Sequence, residues 1–311
     1  MRYLCIGEPL VEFTARRDAP STFDRRAGGD TLNSAIYLAR LLPAGSVGYL
    51  SRLGDDAMSA WLRGVMAEEG VADLCATEPG GRPGLSFIST DARGERSFLY
   101  WREQAPARRM FDDGDMALGA VAEAGTVLLS GVTLAILLPE SRERLLAALE
   151  RRLAAGGRIV LDTNYRPALW PDAATARAVI GRAAALATLV LPSLDDMAGC
   201  FGIADPAGAM AALAGLGGAE IVLTTGGGKV LRRPPGQDRI EPHPLPPMVA
   251  AVDTTGAGDS FNAGWLAARD AGLPPVAAVT LAARLAAVVV THPGAVIPRP
   301  AMPDLGLGVA T

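Results

Sequence analysis

Near its C-terminal end the sequence places two acidic residues on either side of a turn of small residues. The segment reads DTTGAGDSFNAG and follows a β-like run, MVAAV, that ends at Asp253. A helix starting near Gly258 would leave backbone amides free at its N-terminus, where the helix dipole favours an anion. These amides belong to Gly256, Ala257 and Gly258. Asp259, in the first turn, would supply a carboxylate that can take a proton from a nucleophile. The pattern predicts a phosphate site beside a general base.

A simpler alternative is a strand-to-helix turn in which Asp259 only complements the helix dipole. Two other phosphate motifs do not fit the sequence. The Walker pattern fails because GGGKV lacks both the earlier Gly and a Ser or Thr after Lys229. The dinucleotide fingerprint fails because Phe261 replaces its third Gly or Ala, and no acidic residue lies between Asp270 and Asp304 to hold a ribose.

A second stretch with chemical potential, RRAGGDTLNSAIYLARLL, lies near the N-terminus. Gly28 and Gly29 permit an unusual backbone turn, and Asp30 or Thr31 can cap the helix that follows. Asn33 would then lie in the first turn of this helix and face the same opening. Polar groups there could bind sugar hydroxyls, although helix capping alone explains Asp30 and Thr31 equally well.

Strands and helices must alternate to position these segments. Helical patterns over residues 31–42, 57–69 and 140–155 are interspersed with short apolar runs. The runs are YLCIG, VGYLSRLG, TVLLSG, RIVLDTN, TLVLPS and EIVLTTGG. This alternation predicts an α/β fold with a mostly parallel central sheet covered by helices on both faces.

Two stretches, at about 9–26 and 83–102, break the alternation. In the second, GLSFIST and RSFLYWR flank the turn DARGE, which is typical of a β-hairpin. We predict a single domain over residues 1–311, with these two stretches forming a small β lid. Because an open sheet edge favours pairing with another chain, the lid also predicts a homo-oligomer.

Composition limits the partners and the location. Half of the 311 residues are hydrophobic, and the net charge is −4 with no basic block, which argues against nucleic acid and anionic membrane surfaces. The three dispersed cysteines fit a reducing compartment. The N-terminus does not match a signal peptide, and the longest uncharged run, 124–139, is short for a membrane span. These features predict a soluble cytoplasmic protein that acts on a small molecule.

Three motifs in order resemble the ribokinase (PfkB-type) family of sugar kinases, over nearly the whole chain. They are GGDTLNSAIYLARLL, RLGDDAMSAWL and DTTGAGDSFNAG. The resemblance implies a ribokinase-like three-layer sandwich that transfers a phosphoryl group from ATP to a sugar. Together with YWREQAPAR and LDTNYRPALW, the first motif is most similar to kinases that phosphorylate the 6-hydroxyl of the acidic sugar 2-keto-3-deoxygluconate.

The resemblance also implies roles for individual residues. Asp259 matches the catalytic base, and the amides of Gly256, Ala257 and Gly258 match the anion hole. The positions that contact the sugar are Gly28, Gly29, Asn33, Tyr100, Arg102 and Arg166. The positions that contact ATP are Asn164, Ser193, Thr224, Gly226, Gly228, Gly256 and Gly258. The positions near metals are Asp196 for Mg²⁺, and Asp253 and Thr255 for a monovalent cation such as K⁺.

The sequence departs from the family at two places on the nucleotide side. Ser193 and Asp196 replace an Asn-x-x-Glu pair, and a shorter carboxylate can still order water bound to Mg²⁺. Lys229 stands where many relatives have Gly.

Three questions about function stay open at this point. An acidic sugar requires a cationic fork, which Arg102 and Arg166 can provide, and the alternative is that both are solvated surface charges. A kinase of neutral sugars, such as a fructokinase or ribokinase, is the nearest alternative. A sugar-binding regulator without catalysis is another, because a fold alone does not determine function.

Overall fold

The structure is a computed structural model of the chain, and it describes residues 1–16, 19, 21–90, 96–112, 115–247 and 249–307. The strands in these residues are β1 (Tyr3–Ile6), β2 (Leu10–Ala15), β3 (Phe23–Gly28), β4 (Val47–Leu50), β5 (Arg52–Leu53), β6 (Ala72–Asp73), β7 (Ala76–Thr77), β8 (Gly84–Thr90), β9 (Arg96–Trp101), β10 (Thr126–Ser130), β11 (Arg158–Asp162), β12 (Leu189–Leu191), β13 (Glu220–Thr224), β14 (Lys229–Arg233) and β15 (Glu241–Pro244). The helices are α1 (Asp30–Leu41), α2 (Ala57–Glu68), α3 (Asp115–Glu123), α4 (Gly131–Ile136), α5 (Pro139–Ala154), α6 (Ala173–Leu186), α7 (Leu194–Asp196), α8 (Pro206–Ala214), α9 (Ala257–Asp270) and α10 (Pro275–Val289).

Nine strands form the main sheet, in the order β15-β14-β13-β12-β11-β10-β1-β4-β6. The pairs from β13 across to β6 are parallel, whereas β13–β14 and β14–β15, at one edge, are antiparallel. The neighbouring internal strands β10, β1 and β4 are buried along their whole length. This is the pattern of parallel strands that are covered on both faces.

The main sheet separates two hydrophobic cores. Tyr3 and Cys5 of β1 pack into the core that contains α1, α9 and α10, whereas Leu4 and Ile6 pack into the core that contains α5 and α6. Successive side chains point to opposite faces because a strand has a period of two residues. The predicted three-layer α/β sandwich is therefore confirmed.

Four strands, in the order β3-β2-β8-β9, form a second sheet, which we call the small sheet. They come from the two stretches that break the alternation, and β8 and β9 form the predicted antiparallel hairpin. Its predicted turn, DARGE, lies outside the described residues. The role of the small sheet as a lid stays a prediction.

The two faces of the small sheet differ in polarity. Residues paired in register share a face, so Arg26, Glu12, Ser86 and Tyr100 form one polar row across the four strands. The opposite face is mainly apolar, although it also carries Arg25, Ser89 and Ser97. Its aromatic and aliphatic side chains are those of Phe13, Phe23, Phe87, Leu99 and Trp101.

Polar residues follow the carboxyl ends of the parallel strands. Glu8 comes after β1, Asn164 after β11 and Ser193 after β12, while Thr224 ends β13. In open α/β sheets this edge is where ligands bind. The strand order therefore brings together side chains that are distant in sequence.

In the described part of the β-like run expected before Asp253, residues 249–252 do not form a strand, so this part of the prediction is wrong. The amides of Val252 and Asp253 both donate to the carbonyl of Val290, at 2.8 and 3.1 Å. Val290 caps the C-terminus of α10, where helix carbonyls lack partners within the helix. The segment therefore packs on a helix end instead of pairing with a strand.

Within the described part of the chain, no single helix has the length and apolar character needed to cross a membrane. One pair of short helices, Leu194–Phe201 and Pro206–Ala214, meets both criteria only when taken together, and the two are bent by 70°.

Candidate active site

The segment that carries the predicted base forms a tight turn and then a helix. Gly256 has φ 77° and ψ 0°, and the amide of Ala257 donates to the carbonyl of Thr254 at 3.3 Å. This is the geometry of a type II turn, which requires a positive φ at its third residue. A Cβ on Gly256 would lie 2.5 Å from the carbonyl oxygen of Ala295. Glycine is therefore required both by conformation and by space.

The turn changes one part of the predicted anion hole. The amide of Ala257 is used within the turn, so it is not the free donor that the sequence predicted. In the described residues, the amides of Gly256 and Gly258 have no backbone hydrogen-bond partner. Two of the three predicted amides are thus available at the N-terminus of α9, together with its dipole.

Asp259 lies in the first turn of α9, and Asn33 holds its side chain. Asn33 Nδ2 donates to Asp259 Oδ2 at 2.7 Å, while Oδ1 has no hydrogen-bond partner among the described residues. Desolvation raises the pKa of Asp259 to about 7, with a further upward contribution from Asp30. The hydrogen bond from Asn33 and the positive charge of Arg166 act in the opposite direction. A carboxyl group with this pKa can both accept and release a proton near neutral pH.

Asp253 connects the turn to a neighbouring loop. Its Oδ1 accepts a hydrogen bond from the amide of Thr255 and its Oδ2 accepts one from the amide of Gly294, both at 2.8 Å. The side chain is 8% exposed. The two residues predicted to lie near a monovalent cation are adjacent in the structure, and Asp253 also fixes the backbone around them.

The predicted sugar-side residues of α1 meet the turn of α9. Gly29 precedes α1 with φ 116°, and a Cβ there would lie 2.3 Å from the carbonyl oxygen of Glu8. Gly28 lies beneath the side chain of Glu12, which approaches the position of its missing Cβ to 2.2 Å. Asn33 is buried, and its Oδ1 has no hydrogen-bond partner among the described residues. Gly29 is required by its positive φ and by the backbone of Glu8, whereas a Cβ on Gly28 would meet only the movable side chain of Glu12. Asn33 lies in the first turn of α1, as predicted, and contacts Asp259.

The predicted substrate residues of β9 lie on the polar side of the small sheet. Tyr100 is 40% exposed, and the guanidinium of Arg102 lies 5.6 Å from the centre of its ring. Desolvation raises the pKa of Tyr100, whereas the charges of Arg102 and Arg166 lower it. Arg166 also lowers the pKa of Asp259, so its charge acts on both side chains. Arg102, however, is paired with a buried carboxylate that the sequence did not single out, Glu8.

Arg166 and Asp196 form a looser pair. Arg166 Nη1 lies 3.8 Å from Asp196 Oδ1, and the Arg166 side chain is 59% exposed. The carboxylate of Asp196 accepts hydrogen bonds from Thr163 Oγ1 at 2.8 Å and from the amide of Tyr165 at 3.1 Å. Asp196 is therefore oriented by the protein. Arg166 Nη1 donates to the carbonyl of Tyr165 at 2.9 Å, and the rest of its side chain is mostly exposed.

The predicted nucleotide-side residues come together at the ends of β12 and β13. Ser193 and Thr224 form a parallel bridge, and Ser193 Oγ accepts a hydrogen bond from the amide of Asp196 at 3.0 Å. Gly226 and Gly228 have φ values of 74° and 75°, so the loop between β13 and β14 depends on glycine. Lys229, where relatives have Gly, begins β14.

Asn164, predicted to contact ATP, is in contact with the start of α1. Its Nδ2 donates to Asp30 Oδ2 at 2.5 Å, so it contacts the first residue of α1. Among the described residues, it is the non-glycine residue with a positive φ, 23°. Strained conformations of this kind concentrate at functional sites.

Four further residues of the site were not identified from the sequence, because they come close to the predicted site residues only when the chain folds. Asp162 accepts hydrogen bonds from Asn262 Nδ2 at 2.8 Å and from the amide of Asn164 at 3.1 Å. Desolvation and the charges of nearby aspartates raise the pKa of Asp162 well above its usual value. The four residues are Glu8, Glu12, Asp162 and Asn262. Their positions in the sequence were the available signal. Glu8 follows β1 and Glu12 lies in β2, while Asp162 ends β11 and Asn262 lies on α9, the helix of the base.

A possible metal site was compared with the residues present. In the described ranges, no group of three or more His, Cys, Asp or Glu side chains is arranged to hold a metal ion. Mg²⁺ commonly binds through one or two carboxylates, waters and the phosphates of its substrate. The described residues thus fit an ion that is held mainly by a nucleotide.

Comparison with known proteins agrees with this arrangement. The family model described as "pfkB family carbohydrate kinase" matches residues 2–302. A 2-dehydro-3-deoxygluconokinase of Dickeya dadantii is 36% identical over 304 residues, which cover 96% of this chain and 97% of that protein.

Two solved structures share the fold. The crystal structure of a fructokinase with bound ATP from Xylella fastidiosa has a TM-score of 0.79 and 27% identity, and covers 98% of this chain and 96% of that one. The 2-dehydro-3-deoxygluconokinase of Thermotoga maritima has a TM-score of 0.82 and 21% identity, with 96% of each chain covered. The site combines an aspartate with free backbone amides at one edge of the sheet, in a fold that the solved structures share. The chain belongs to the PfkB family of carbohydrate kinases and is an ATP-dependent sugar kinase.

Proposed function

We propose that the chain transfers the γ-phosphoryl group of ATP to the 6-hydroxyl of 2-keto-3-deoxygluconate, with Asp259 as the general base. The observation that carries this proposal is the position of Asp259. Its carboxylate stands in the first turn of α9, is held by Asn33 at 2.7 Å and has a pKa of about 7. A base of this strength is suited to a hydroxyl acceptor at neutral pH.

In this mechanism, Asp259 Oδ1 accepts the proton of the attacking hydroxyl, while Asn33 keeps Oδ2 in place. The amides of Gly256 and Gly258 donate to the oxygens of the transferred phosphoryl group, where negative charge is spread in the transition state. Ala257 contributes by closing the turn that aims these amides, through its bond to Thr254.

The nucleotide-side roles remain proposals. Ser193, Thr224, Gly226 and Gly228 would line the site for ATP. Bound Mg²⁺ would neutralise phosphate charge, and Asp196 would orient its water ligands. For a monovalent cation, Asp253 and Thr255 form the candidate site, and potassium is the ion we would test first.

Recognition of the acid group is assigned to Arg166, with Tyr100 and Arg102 completing the sugar site. Arg166 is mostly exposed, its nearest carboxylate is 3.8 Å away, and its charge reaches both Asp259 and Tyr100. An arginine in this state can offer two parallel N–H donors to a carboxylate. The similarity to 2-dehydro-3-deoxygluconokinases supports the same substrate class.

A kinase of neutral sugars is the alternative function, because a fructokinase is among the structural relatives. We would measure ADP release over a panel of keto-sugar acids and neutral sugars, for the wild type and for Arg166→Ala. A lost charge-assisted bidentate contact is expected to lower kcat/KM for the acid about 10- to 100-fold, with a much smaller effect on neutral sugars.

Turnover of fructose without any turnover of keto-deoxygluconate would contradict the specific substrate and leave the family assignment intact. Arg182→Ala is the matched control, because Arg182 is about as exposed as Arg166 but pairs with Glu143 on the surface. This variant is expected to behave as wild type.

We further propose that the small sheet closes over the sugar and that its apolar face is covered by a second copy of the chain. Exclusion of water by closure would suppress hydrolysis of ATP. Leu99 and Trp101 are 55% and 57% exposed on this face, which is unusual for large apolar side chains. The cytoplasmic location stays a prediction.

A further inference from the structure

Glu8 is a buried carboxylate at the edge of the active site for which the reaction described above has no role. It follows Gly7 after the end of β1, an internal strand of the main sheet, and is 3% exposed. Desolvation raises its pKa, and the neighbouring Arg102 lowers it. A buried carboxylate is unfavourable unless it is paired and hydrogen-bonded, so its presence calls for an explanation.

Its partner is Arg102, which follows the last residue of β9. Arg102 Nε donates to Glu8 Oε2 at 2.8 Å, and Nη2 donates to the same oxygen. In the described residues, Arg102 Nη1 has no hydrogen-bond partner. One carboxylate oxygen thus holds one edge of the guanidinium and leaves the remaining nitrogen free.

Two glycines make room for this arrangement. A Cβ on Gly84, the first residue of β8, would lie 2.4 Å from Glu8 Oε1, and a Cβ on Gly29 would lie 2.3 Å from the Glu8 carbonyl oxygen. Three separate segments are therefore shaped around Glu8. They are the start of β8, the entry to α1 and the end of β9.

The Glu8–Arg102 pair is not explained by a contribution to the stability of the fold alone. Glu8 Oε1 is buried and has no hydrogen-bond partner in the part of the chain that the structure describes. Desolvation of two charges offsets much of their attraction, and well-packed apolar residues stabilise such positions equally well. What the pair does supply is a defined direction for the guanidinium of Arg102, beside the ring of Tyr100.

We infer that Glu8 is a positioning residue for the sugar acceptor: it fixes Arg102 so that Nη1 faces the acceptor, and it ties the small sheet to β1 of the main sheet. This inference rests on the proposed sugar-acid kinase function. Because Glu8 compensates the charge of Arg102, it also explains why Arg166 is the arginine that distinguishes acids from neutral sugars.

The test is a double-mutant cycle on the whole enzyme with Glu8→Gln, Arg102→Gln and the combined variant. Glu8→Gln is expected to raise KM for the acid acceptor about tenfold or more, while KM for ATP changes less than about twofold. The combined variant is expected to be no worse than Arg102→Gln by more than about threefold, because both changes remove the same interaction. Glu143→Gln, which breaks an exposed pair with Arg182, is the control and is expected to leave both KM values unchanged.

Thermal unfolding shows whether each variant is folded, and it thereby separates a positioning role of Glu8 from a structural one. If Glu8→Gln is folded and keeps the acceptor KM of the wild type, or if the penalties of the two single variants multiply in the combined one, the inference is wrong. Should Glu8→Gln fail to fold, Glu8→Asp makes the same comparison, because it keeps the charge and withdraws the oxygen by one methylene. A wild-type enzyme without turnover of any sugar acid would instead contradict the proposed function.

Discussion

At the scale of single residues, Asp259 carries the chemistry. Substitution by Asn keeps the shape and an oxygen for Asn33 but removes the proton acceptor. We expect kcat to fall about 10²- to 10⁴-fold, which is the usual contribution of a general base. A coupled assay of ADP release measures this. Activity close to that of the wild type would show that Asp259 only complements the helix dipole.

The raised pKa of Asp259 predicts a particular dependence on pH. The base must be ionised, so kcat/KM is expected to fall as pH drops through about 7. Asp30 raises this pKa and Arg166 lowers it, so both also influence the profile. A plateau that extends well below pH 6 would argue against Asp259 as the group that titrates.

The same shift predicts an effect on stability. A carboxyl group whose pKa is raised by folding binds more protons in the folded state, so its ionisation destabilises the fold as pH rises through about 7. Asp259→Asn is therefore expected to unfold at a higher temperature than the wild type at pH 8. The difference should shrink as pH falls below 7 and vanish only below the ordinary aspartate pKa of about 3.9, where both states of the wild type are protonated. Equal unfolding temperatures at pH 8 would contradict the burial of this charge.

At the scale of elements, the turn before α9 decides the geometry of the anion site. Gly256→Ala would bring a Cβ to 2.5 Å from the Ala295 carbonyl oxygen, in addition to the strain of a positive φ. Gly272→Ala is the matched control, because Gly272 has φ 79° but no atom within 4 Å of the missing Cβ. We expect Gly272→Ala to cost about 1–2 kcal/mol in the free energy of unfolding, from the left-handed conformation alone.

Gly256→Ala is expected to be more destabilising than this control and to lose most of kcat, because the amides it aims would move. Urea unfolding and the ADP assay measure the two effects. Equal losses of stability in both variants would mean that the loop around Ala295 moves at little energetic cost to accommodate the new Cβ.

At the scale of the whole molecule, the apolar face of the small sheet predicts the assembly. Trp101→Glu places a charge on this face and is expected to shift a dimer to a monomer in light scattering. Met116→Glu changes an exposed apolar side chain on α3, 67% exposed, and serves as the control. A wild type that is monomeric at every concentration would contradict the proposed second copy.

The elements were predictable because their periodicity is local. Helices expected at 31–42, 57–69 and 140–155 are present at Asp30–Leu41, Ala57–Glu68 and Pro139–Ala154. The β-like run before Asp253 was not predictable in the same way, because its partner is the end of α10 rather than a strand. A hydrophobic pattern indicates that a segment packs near a core, but it does not identify the element against which the segment packs.

The sequence by itself determined the fold class, the family and the positions of Asp259, Gly256 and Asn33, because glycine turns, helix starts and strand periodicity depend on neighbouring residues. Only the tertiary structure decided which side chains meet. The pairing of Glu8 with Arg102, the contact of Asn164 with Asp30 and the use of the Ala257 amide within its turn all depend on distances between segments far apart in the chain, or on exact backbone geometry. The raised pKa of Asp259 has the same origin, since desolvation and neighbouring charges arise only when the segments pack together.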